Sequence, residues 1–200
     1  MSLSIRGAWL FTPVLHEDDR GQFLESFTQR TFSDVTGQPL DIRQANVSES
    51  VCGTVRGIHF AEVPPGQAKY VHCYSGKILD VVVDIRIGSP TFGQWDAVEL
   101  DSRNRQSVYI AEGLGHAFCA LSQVATVGYM CSTPYVPARE HAVHPLDPGL
   151  RIAWPTNLDL RLSSKDAAAP TLGEAAQSAV LPRYEECVAH YNRLRTQHTP

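Results

Sequence analysis

Hydrophobic and polar positions between Gln44 and Arg139 form short segments typical of β-strands. Val, Ile, Tyr and Thr are frequent in these segments, and Gly, Pro, Asn and Ser interrupt them at intervals expected of an all-β fold. The predicted strands are residues 44–50, 54–60, 68–74, 77–85, 95–100, 107–110, 116–120 and 126–132. We therefore predict an all-β fold whose barrel core covers about residues 44–140.

One predicted strand carries two carboxylates in an otherwise apolar sequence. From Lys77 to Arg86, Asp80 and Asp84 alternate with aliphatic side chains, so both acids lie on one face of the strand. A solvated sheet face explains this pattern, and so does a barrel interior built to hold a polar ligand. Periodicity alone leaves both interpretations open.

Helical patterns occur mainly near the C-terminus. Apolar residues between 183 and 195 have helical spacing, and Pro182 suits a first turn, which predicts an amphipathic C-terminal helix. Residues 27–32 are predicted to form a short helical turn, whereas residues 167–179 have no strong pattern. Because no linker or repeat divides the chain, we expect a single domain over residues 1–200.

Composition excludes several classes of protein. The net charge is -4 at pH 7 and the basic residues are scattered, which argues against nucleic-acid binding. The longest apolar run, residues 78–87, is interrupted by two aspartates, so no membrane span is expected. Five cysteines without a C-x-x-C pair indicate free thiols in a reducing compartment. Since no signal sequence precedes the first strands, we expect a cytoplasmic protein.

His59 and Lys69 are the first candidates for chemistry. They flank a Pro-Pro-Gly turn near one end of the predicted barrel, where a base and a cation can act together. A lone strand histidine is, however, more often a core residue. A metal site is not expected, because position 61 is Ala and a site would have to combine His59, His72 and His116 without sequence support.

Several motifs in a fixed order resemble those of the dTDP-4-dehydrorhamnose 3,5-epimerase family. Among them are Val55-Arg56-Gly57-Ile58-His59 and Leu162-Ser163-Ser164-Lys165-Asp166, and the blocks together cover residues 19–25, 44–48, 55–59, 64–69, 80–86, 89–93, 113–118 and 162–166. Residues 57–71, together with 135–137 and 147–148, are most similar to the branch that serves deoxysugar pathways of actinobacterial natural products. The combination of blocks is far more specific than any single block.

The resemblance implies a cupin-type jelly-roll β-barrel, a homodimer, a dTDP-4-keto-6-deoxyhexose substrate, and neither a metal nor an organic cofactor. It implies that His59 is the catalytic base and that Asp166 pairs with it. Lys69 would lie near the sugar ketone, and Tyr129 would act as the acid on the opposite ring face. The residues that the resemblance assigns to the substrate pocket are Arg20, Phe23, Glu25, Gln44, Asn46, Arg56, His116, Tyr135 and Lys165.

These roles agree with the chemistry of epimerisation. A proton on carbon 3 or carbon 5 is acidic only because its removal places charge on the carbon-4 oxygen, which a nearby cation stabilises. Imidazole is a suitable base near neutral pH, and a tyrosine stays protonated until it is needed as the acid. Each residue also has a structural interpretation. Asp166 could pair with Lys165 or Arg161 at the surface, and Tyr129 could be a core aromatic.

Two departures from the family pattern bear on specificity. Ala61 replaces a polar residue that is common after the histidine motif, and Gly115 replaces an alanine. We therefore expect a changed substrate shape near the sugar, which leaves open whether both carbons are inverted. The alternatives are an epimerase acting at one carbon only, a dTDP-sugar 3,4-ketoisomerase, and a non-catalytic cupin binding protein.

Overall fold

The computed structural model describes residues 1–196. Most of its regular structure is β-strand, and the helices are few and short. The first strands are β1 (Ala8–Phe11), β2 (His16–Asp18), β3 (Gly21–Phe23), β4 (Gln44–Val51), β5 (Val55–Ala61) and β6 (Lys69–Ser75). The later strands are β7 (Lys77–Val83), β8 (Trp95–Asp101), β9 (Ser107–Ile110), β10 (Gly115–Ala120), β11 (Val124–Cys131) and β12 (Glu140–Ala142). The helices are α1 (Gln29–Thr36), α2 (Ser164–Ala167), α3 (Leu172–Gln177) and α4 (Tyr184–Thr196).

Ten of these strands form two five-stranded antiparallel sheets. Sheet I has the order β1-β9-β6-β11-β4, and sheet II has the order β12-β5-β10-β7-β8. The strands β2 and β3 form a separate two-stranded hairpin. This is the predicted all-β, cupin-type jelly roll, in which non-consecutive strands are neighbours in both sheets.

The main core lies between the two sheets. Alternate residues of sheet I, such as Val71 and Val127, pack there against Val82 and Phe118 of sheet II. The opposite face of sheet II is covered by the segment after β12, where Trp154 and other apolar side chains are buried. Both faces of sheet II are therefore apolar, which explains why its strands lack a clean alternation.

The helices α1 and α4 cover the outside of sheet I, whereas α3 packs over the outer face of sheet II. Thr28 caps α1, and Phe32 of α1 packs edge-on against Tyr109 of sheet I. On α4, Tyr191 is buried and its hydroxyl accepts a hydrogen bond from Nη1 of Arg86 at 3.3 Å. The C-terminal helix is thus fastened to the loop that follows β7.

The predicted strands between residues 44 and 132 agree with the observed ones to within about two residues, but the barrel boundaries were too narrow. β1 extends sheet I beside β9, and β12 extends sheet II beside β5. The predicted C-terminal helix is confirmed as α4. Pro182 is not in its first turn, however, because its carbonyl accepts from the backbone N–H of Ile87 before the helix begins. The predicted turn at 27–32 is the longer helix α1, and the patternless stretch 167–179 contains α3, which Thr171 and Glu174 cap reciprocally.

The two aspartates near β7 have different surroundings, and neither lies on a solvated face. Asp80 faces the interior between the sheets and is 1% exposed. Asp84 lies beyond the strand end, where it forms a fully buried ion pair with Arg86 at 2.7 Å. The side chains of Ser89 and Thr91 also donate to its carboxylate. Asp80 therefore fits the interpretation of a barrel interior with a polar group. Asp84 instead stabilises the loop that follows β7.

The cysteines are all free, as expected, and four of the five are buried. None of the helices between residues 1 and 196 combines the length and apolar character that a bilayer crossing requires.

Candidate active site

A cavity of about 580 Å³ opens at one end of the barrel, where β4, β5, β6, β10 and β11 converge. The strand β12 and the segment leading into α2 close its side. Most of the lining residues are polar or charged. They are Gln44, Asn46, Ser48, Thr54, Val55, Arg56, His59, Gln67, Lys69, His116, Phe118, Tyr129, Tyr135, Glu140, His141, Arg161, Leu162, Ser163, Lys165 and Asp166.

His59 and Asp166 form a hydrogen-bonded pair in this cavity. Nε2 of His59 on β5 lies 2.7 Å from Oδ1 of Asp166 on α2. The short helix α2 fixes the carboxylate, because Ser163 caps it by accepting from the backbone N–H of Asp166. Asp166 is 3% exposed, whereas the His59 side chain remains 39% exposed. The carboxylate is therefore held in the wall and the imidazole reaches into the cavity.

The pKa of Asp166 lies below its ordinary value of 3.8. Burial acts to raise this pKa, but the hydrogen bond with His59, its charge, and the donors Ser163 and Gly57 together outweigh burial. Asp166 is thus ionised at neutral pH and accepts the proton on Nε2 of His59. Nδ1 is then the nitrogen that can take a proton from a ligand.

Lys69 lies on β6 and is 8% exposed. Burial lowers the pKa of this lysine, while the negative charges that Cys131, Glu140 and Asp80 can carry act to raise it. No carboxylate lies within ion-pair distance of its ammonium group in the described chain. The charge of Lys69 is therefore available to stabilise a developing anion in the cavity.

Tyr129 faces the same cavity from β11. Burial is the main cause that raises the pKa of its phenol, so the hydroxyl keeps its proton at neutral pH. Glu140 on β12 is a third titratable group, and burial raises its pKa, whereas the charges of Lys69 and His59 act to lower it. The cavity thus holds Tyr129 as a proton donor and Glu140 as a carboxyl group whose ionised form burial disfavours.

A second histidine–carboxylate pair lies deeper in the barrel. Nε2 of His116 is 2.7 Å from Oδ2 of Asp80, and both side chains are buried. His116 is the cross-strand neighbour of His59, which places the two imidazoles side by side in sheet II. Since Asp80 occupies Nε2, Nδ1 of His116 is left for a ligand.

Polar side chains from sheet I form the opposite wall. The backbone N–H of Tyr135 donates to Oε1 of Gln44 at 2.8 Å, and Nε2 of Gln44 donates to Oδ1 of Asn46 at 2.8 Å. Arg56, on β5 of sheet II, is tied to this wall by hydrogen bonds from Nε to Ser50 and from Nη2 to the carbonyl of Glu49. These contacts preorganise the side chains before any ligand binds.

Most of the predicted site residues therefore line one cavity, and three do not. Arg20, Phe23 and Glu25 are absent from its lining in this chain, because the hairpin β2–β3 and the residues after it lie outside both large sheets. Phe23 is 66% exposed, and its ring lies beside that of His16 on the same hairpin. A single chain therefore does not bring these three residues to its own cavity, and their place in the substrate pocket stays a prediction.

The two departures from the family pattern lie outside the cavity lining, and their effect on substrate shape stays a prediction. A side chain at Gly115 would meet Ile58 at 2.6 Å and Ile85 at 3.3 Å, and both belong to the core on the outer face of sheet II. Gly115 therefore points away from the cavity. Ala61 is not among the lining residues either.

Sequence patterns missed several lining residues. Glu140 and His141 lie on β12, which has only three residues and no alternation to reveal it. Arg161 lies in an irregular segment, which forms a single bridge with Thr54. For Gln67 the Pro-Pro-Gly turn before Lys69 was the available signal. Within residues 1–196, no group of three His, Cys, Asp or Glu side chains is placed to hold a metal ion.

A sequence profile of the dTDP-4-dehydrorhamnose 3,5-epimerase family matches residues 2–174. The chain belongs to this family. A dTDP-4-dehydrorhamnose 3,5-epimerase of Mycolicibacterium smegmatis is 57% identical over 96% of this chain and 95% of its own. A dTDP-4-dehydrorhamnose 3-epimerase of Streptomyces niveus is 52% identical over 94% of this chain and 90% of its own. The predicted family and the isomerase class are thereby confirmed for this epimerase homologue.

The fold comparison agrees with the sequence comparison. A crystal structure of ChmJ, a 3'-monoepimerase from Streptomyces bikiniensis, in complex with dTDP superposes with a TM-score of 0.96 at 47% identity. The superposition covers 99% of this chain and 100% of the ChmJ chain. That ChmJ protein is a double variant in which a histidine and a tyrosine are replaced. The two replaced residues have the same separation in sequence as His59 and Tyr129 in this member of the epimerase family.

Proposed function

We propose that the protein inverts carbon 3, carbon 5 or both in a dTDP-4-keto-6-deoxyhexose. The observation that carries this proposal is the His59–Asp166 pair at 2.7 Å in a cavity that Lys69 and Tyr129 also line. A base, a cation and an acid are the groups that proton exchange beside a ketone requires. The family and the named activities of its relatives support the same reaction.

In the first step, Nδ1 of His59 takes the proton from the carbon next to the ketone. The C–H electron pair forms the enolate, whose charge moves to the carbon-4 oxygen, and Lys69 stabilises that oxygen. Asp166 holds the imidazole through Nε2 and offsets the positive charge that His59 acquires. Because Lys69 is nearly dry, its charge acts more strongly on the enolate than it would in water.

In the second step, the phenol of Tyr129 gives its proton to the opposite face of the same carbon, which inverts the centre. The raised pKa of Tyr129 keeps the phenol protonated until the enolate forms. Tyrosinate and imidazolium then return to their starting forms by proton exchange with water. These two reaction steps consume no cofactor. We also propose that no metal is needed, so activity should persist in excess chelator.

The polar side chains of sheet I and the basic side chains that line the cavity are proposed to bind the nucleotide. Gln44, Asn46 and Tyr135 would contact the nucleoside, while Arg56 and Lys165 would contact the diphosphate. The ChmJ complex supports a dTDP ligand for a site of this shape.

We also propose a homodimer in the cytoplasm. Arg20, Phe23 and Glu25 lie outside this chain's own cavity, yet the family resemblance assigns them to the pocket. A second copy that carries its β2–β3 hairpin to the cavity would reconcile the two observations. Free buried thiols agree with a reducing compartment.

The experiment is incubation with dTDP-4-keto-6-deoxyglucose in deuterated buffer, followed by counting of deuterium at carbons 3 and 5. Label at either carbon supports the epimerase, and its absence from both contradicts the proposal. A second candidate, epimerisation at carbon 3 alone, is favoured by the named activity of the Streptomyces niveus relative. Label at carbon 3 only would establish that candidate, and label at both carbons would exclude it.

A further inference from the structure

Arg161 lies at the mouth of the cavity, outside every sequence block that the family resemblance covers. Its backbone is anchored to the turn between β4 and β5, because its N–H donates to the carbonyl of Gly53 at 2.8 Å and its own carbonyl accepts from Val55 at 2.9 Å. Leu160 and Leu162, on either side, pack against the outer core of sheet II. The position of Arg161 is therefore fixed even though its side chain is exposed.

The segment before Arg161 lies so close to the turn between β4 and β5 that Gly53 has no space for a side chain. A Cβ atom there would lie 2.2 Å from the carbonyl oxygen of Asp159, and Gly53 has a φ of 80°, which favours glycine. The close contact holds the Arg161 segment against the same turn that leads into β5 and His59. The backbone of Arg161 is thus held in place, and its side chain lines the same cavity as those of Arg56 and Lys165.

The guanidinium of Arg161 has no partner within residues 1–196, and no carboxylate in this range lies within ion-pair distance of Arg56, Arg161 or Lys165. By contrast, Arg20, Arg43 and Arg86 each pair with a nearby aspartate. Of the two acids that line the cavity, Asp166 is already held by His59. Three cationic side chains without a carboxylate partner in the described range therefore line one cavity.

We infer that Arg161 is a further diphosphate-binding residue that selects nucleoside diphosphates over ligands with fewer phosphate charges. This inference rests on the proposed function, since it concerns the ligand of the same site. Arg56 already uses two of its N–H groups in hydrogen bonds to Ser50 and Glu49. The planar guanidinium of Arg161 has no such bond within residues 1–196, so it can donate to two phosphate oxygens. Arg161 makes the same contact in ground state and transition state, so it affects binding rather than the chemical step.

The test compares Arg161→Ala and Arg161→Lys with wild type in calorimetric titrations of dTDP, dTMP and thymidine. We expect Arg161→Ala to weaken dTDP binding roughly tenfold and to leave thymidine binding unchanged. Arg161→Lys should be intermediate, because it keeps the charge and loses the bidentate geometry. With the ketosugar substrate, KM should rise while kcat stays within about twofold.

The matched control is Arg103→Ala, an exposed arginine on the turn between β8 and β9, which should bind all three ligands as wild type does. Equal dTDP affinity of wild type and Arg161→Ala would overturn the inference while leaving the proposed function intact. A uniform loss for dTDP, dTMP and thymidine would also overturn it, since that result indicates a structural role. Failure of the wild type to bind dTDP would contradict the proposed function, and the inference about Arg161 with it.

Discussion

Nε2 of His59 lies 2.7 Å from Oδ1 of Asp166, although 107 positions separate the two residues in sequence. The contact joins β5 of sheet II to the first turn of α2, and it decides which imidazole nitrogen faces the substrate. It also turns a strand histidine, which by itself is more often a core residue, into a candidate base.

Replacing Asp166 by Asn should lower kcat roughly hundredfold or more and change KM little. The amide keeps the size of the side chain, but it removes the charge that stabilises imidazolium and allows the wrong tautomer. Initial rates of product formation measure the effect. Asp159→Asn, on an exposed residue of the preceding segment, is the control and should keep full activity. A kcat for Asp166→Asn within threefold of wild type would mean that the pair is structural.

The buried Lys69 should lower the free energy of unfolding, although the proposed reaction requires its charge. Its pKa is lowered by burial, so protonated Lys69 is less stable in the folded chain than in the unfolded chain. Lys69→Met should therefore abolish activity and raise the free energy of unfolding at pH 7 by about 1 kcal/mol or more. Chemical denaturation measures the difference.

The destabilisation by protonated Lys69 should depend on pH. The penalty from Lys69 is fully present below its folded pKa, and it disappears as the pH rises past the ordinary value of 10.5. The stability gain of Lys69→Met should accordingly shrink as the pH rises from the lowered pKa of Lys69 toward 10.5. A gain that stays constant up to pH 10.5 would point to better packing by Met instead.

Asp80 should hold His116 in place. Asp80→Ala leaves a buried imidazole without its partner, so we expect a loss of about 3 kcal/mol in the free energy of unfolding. Asp80→Asn retains a hydrogen-bonding group and should lose less. Both variants can be compared by urea denaturation, and equal stability of Asp80→Ala and wild type would contradict a structural role for the pair.

Gly115→Ala should affect packing rather than specificity. The added methyl would meet Ile58 at 2.6 Å in the outer core, which is overpacked as a result. We expect a loss of about 1 kcal/mol in stability and an unchanged ratio of deuterium at carbons 3 and 5. A shift in that ratio would restore the view that position 115 shapes the sugar site.

The sequence predicted the strands that are long enough to show a pattern, and it missed those that are not. β4 to β11 have four to eight residues and turn signals at their ends, whereas β2, β3 and β12 have three residues each. Alternation was weak in sheet II because both of its faces are buried. The apolar outer face is covered by a segment that has almost no regular structure of its own.

The site was predicted by resemblance more than by pattern. His59, Lys69, Tyr129 and Asp166 come from four separate elements, and only the fold brings them together. Arg161 and Glu140 were missed because neither lies in a periodic segment. Arg20, Phe23 and Glu25 were assigned to the pocket by motif order, which carries no information about how far apart residues lie in space.

Solvent exchange by single-site variants tests the central claim most directly. His59→Ala and Tyr129→Phe are each incubated with dTDP-4-keto-6-deoxyglucose in deuterated buffer, and label and configuration are followed at the same carbon. We predict near-total loss of exchange for His59→Ala, and for Tyr129→Phe exchange that outlasts net inversion. Exchange at the wild-type rate in His59→Ala would contradict the assignment of His59 as the base.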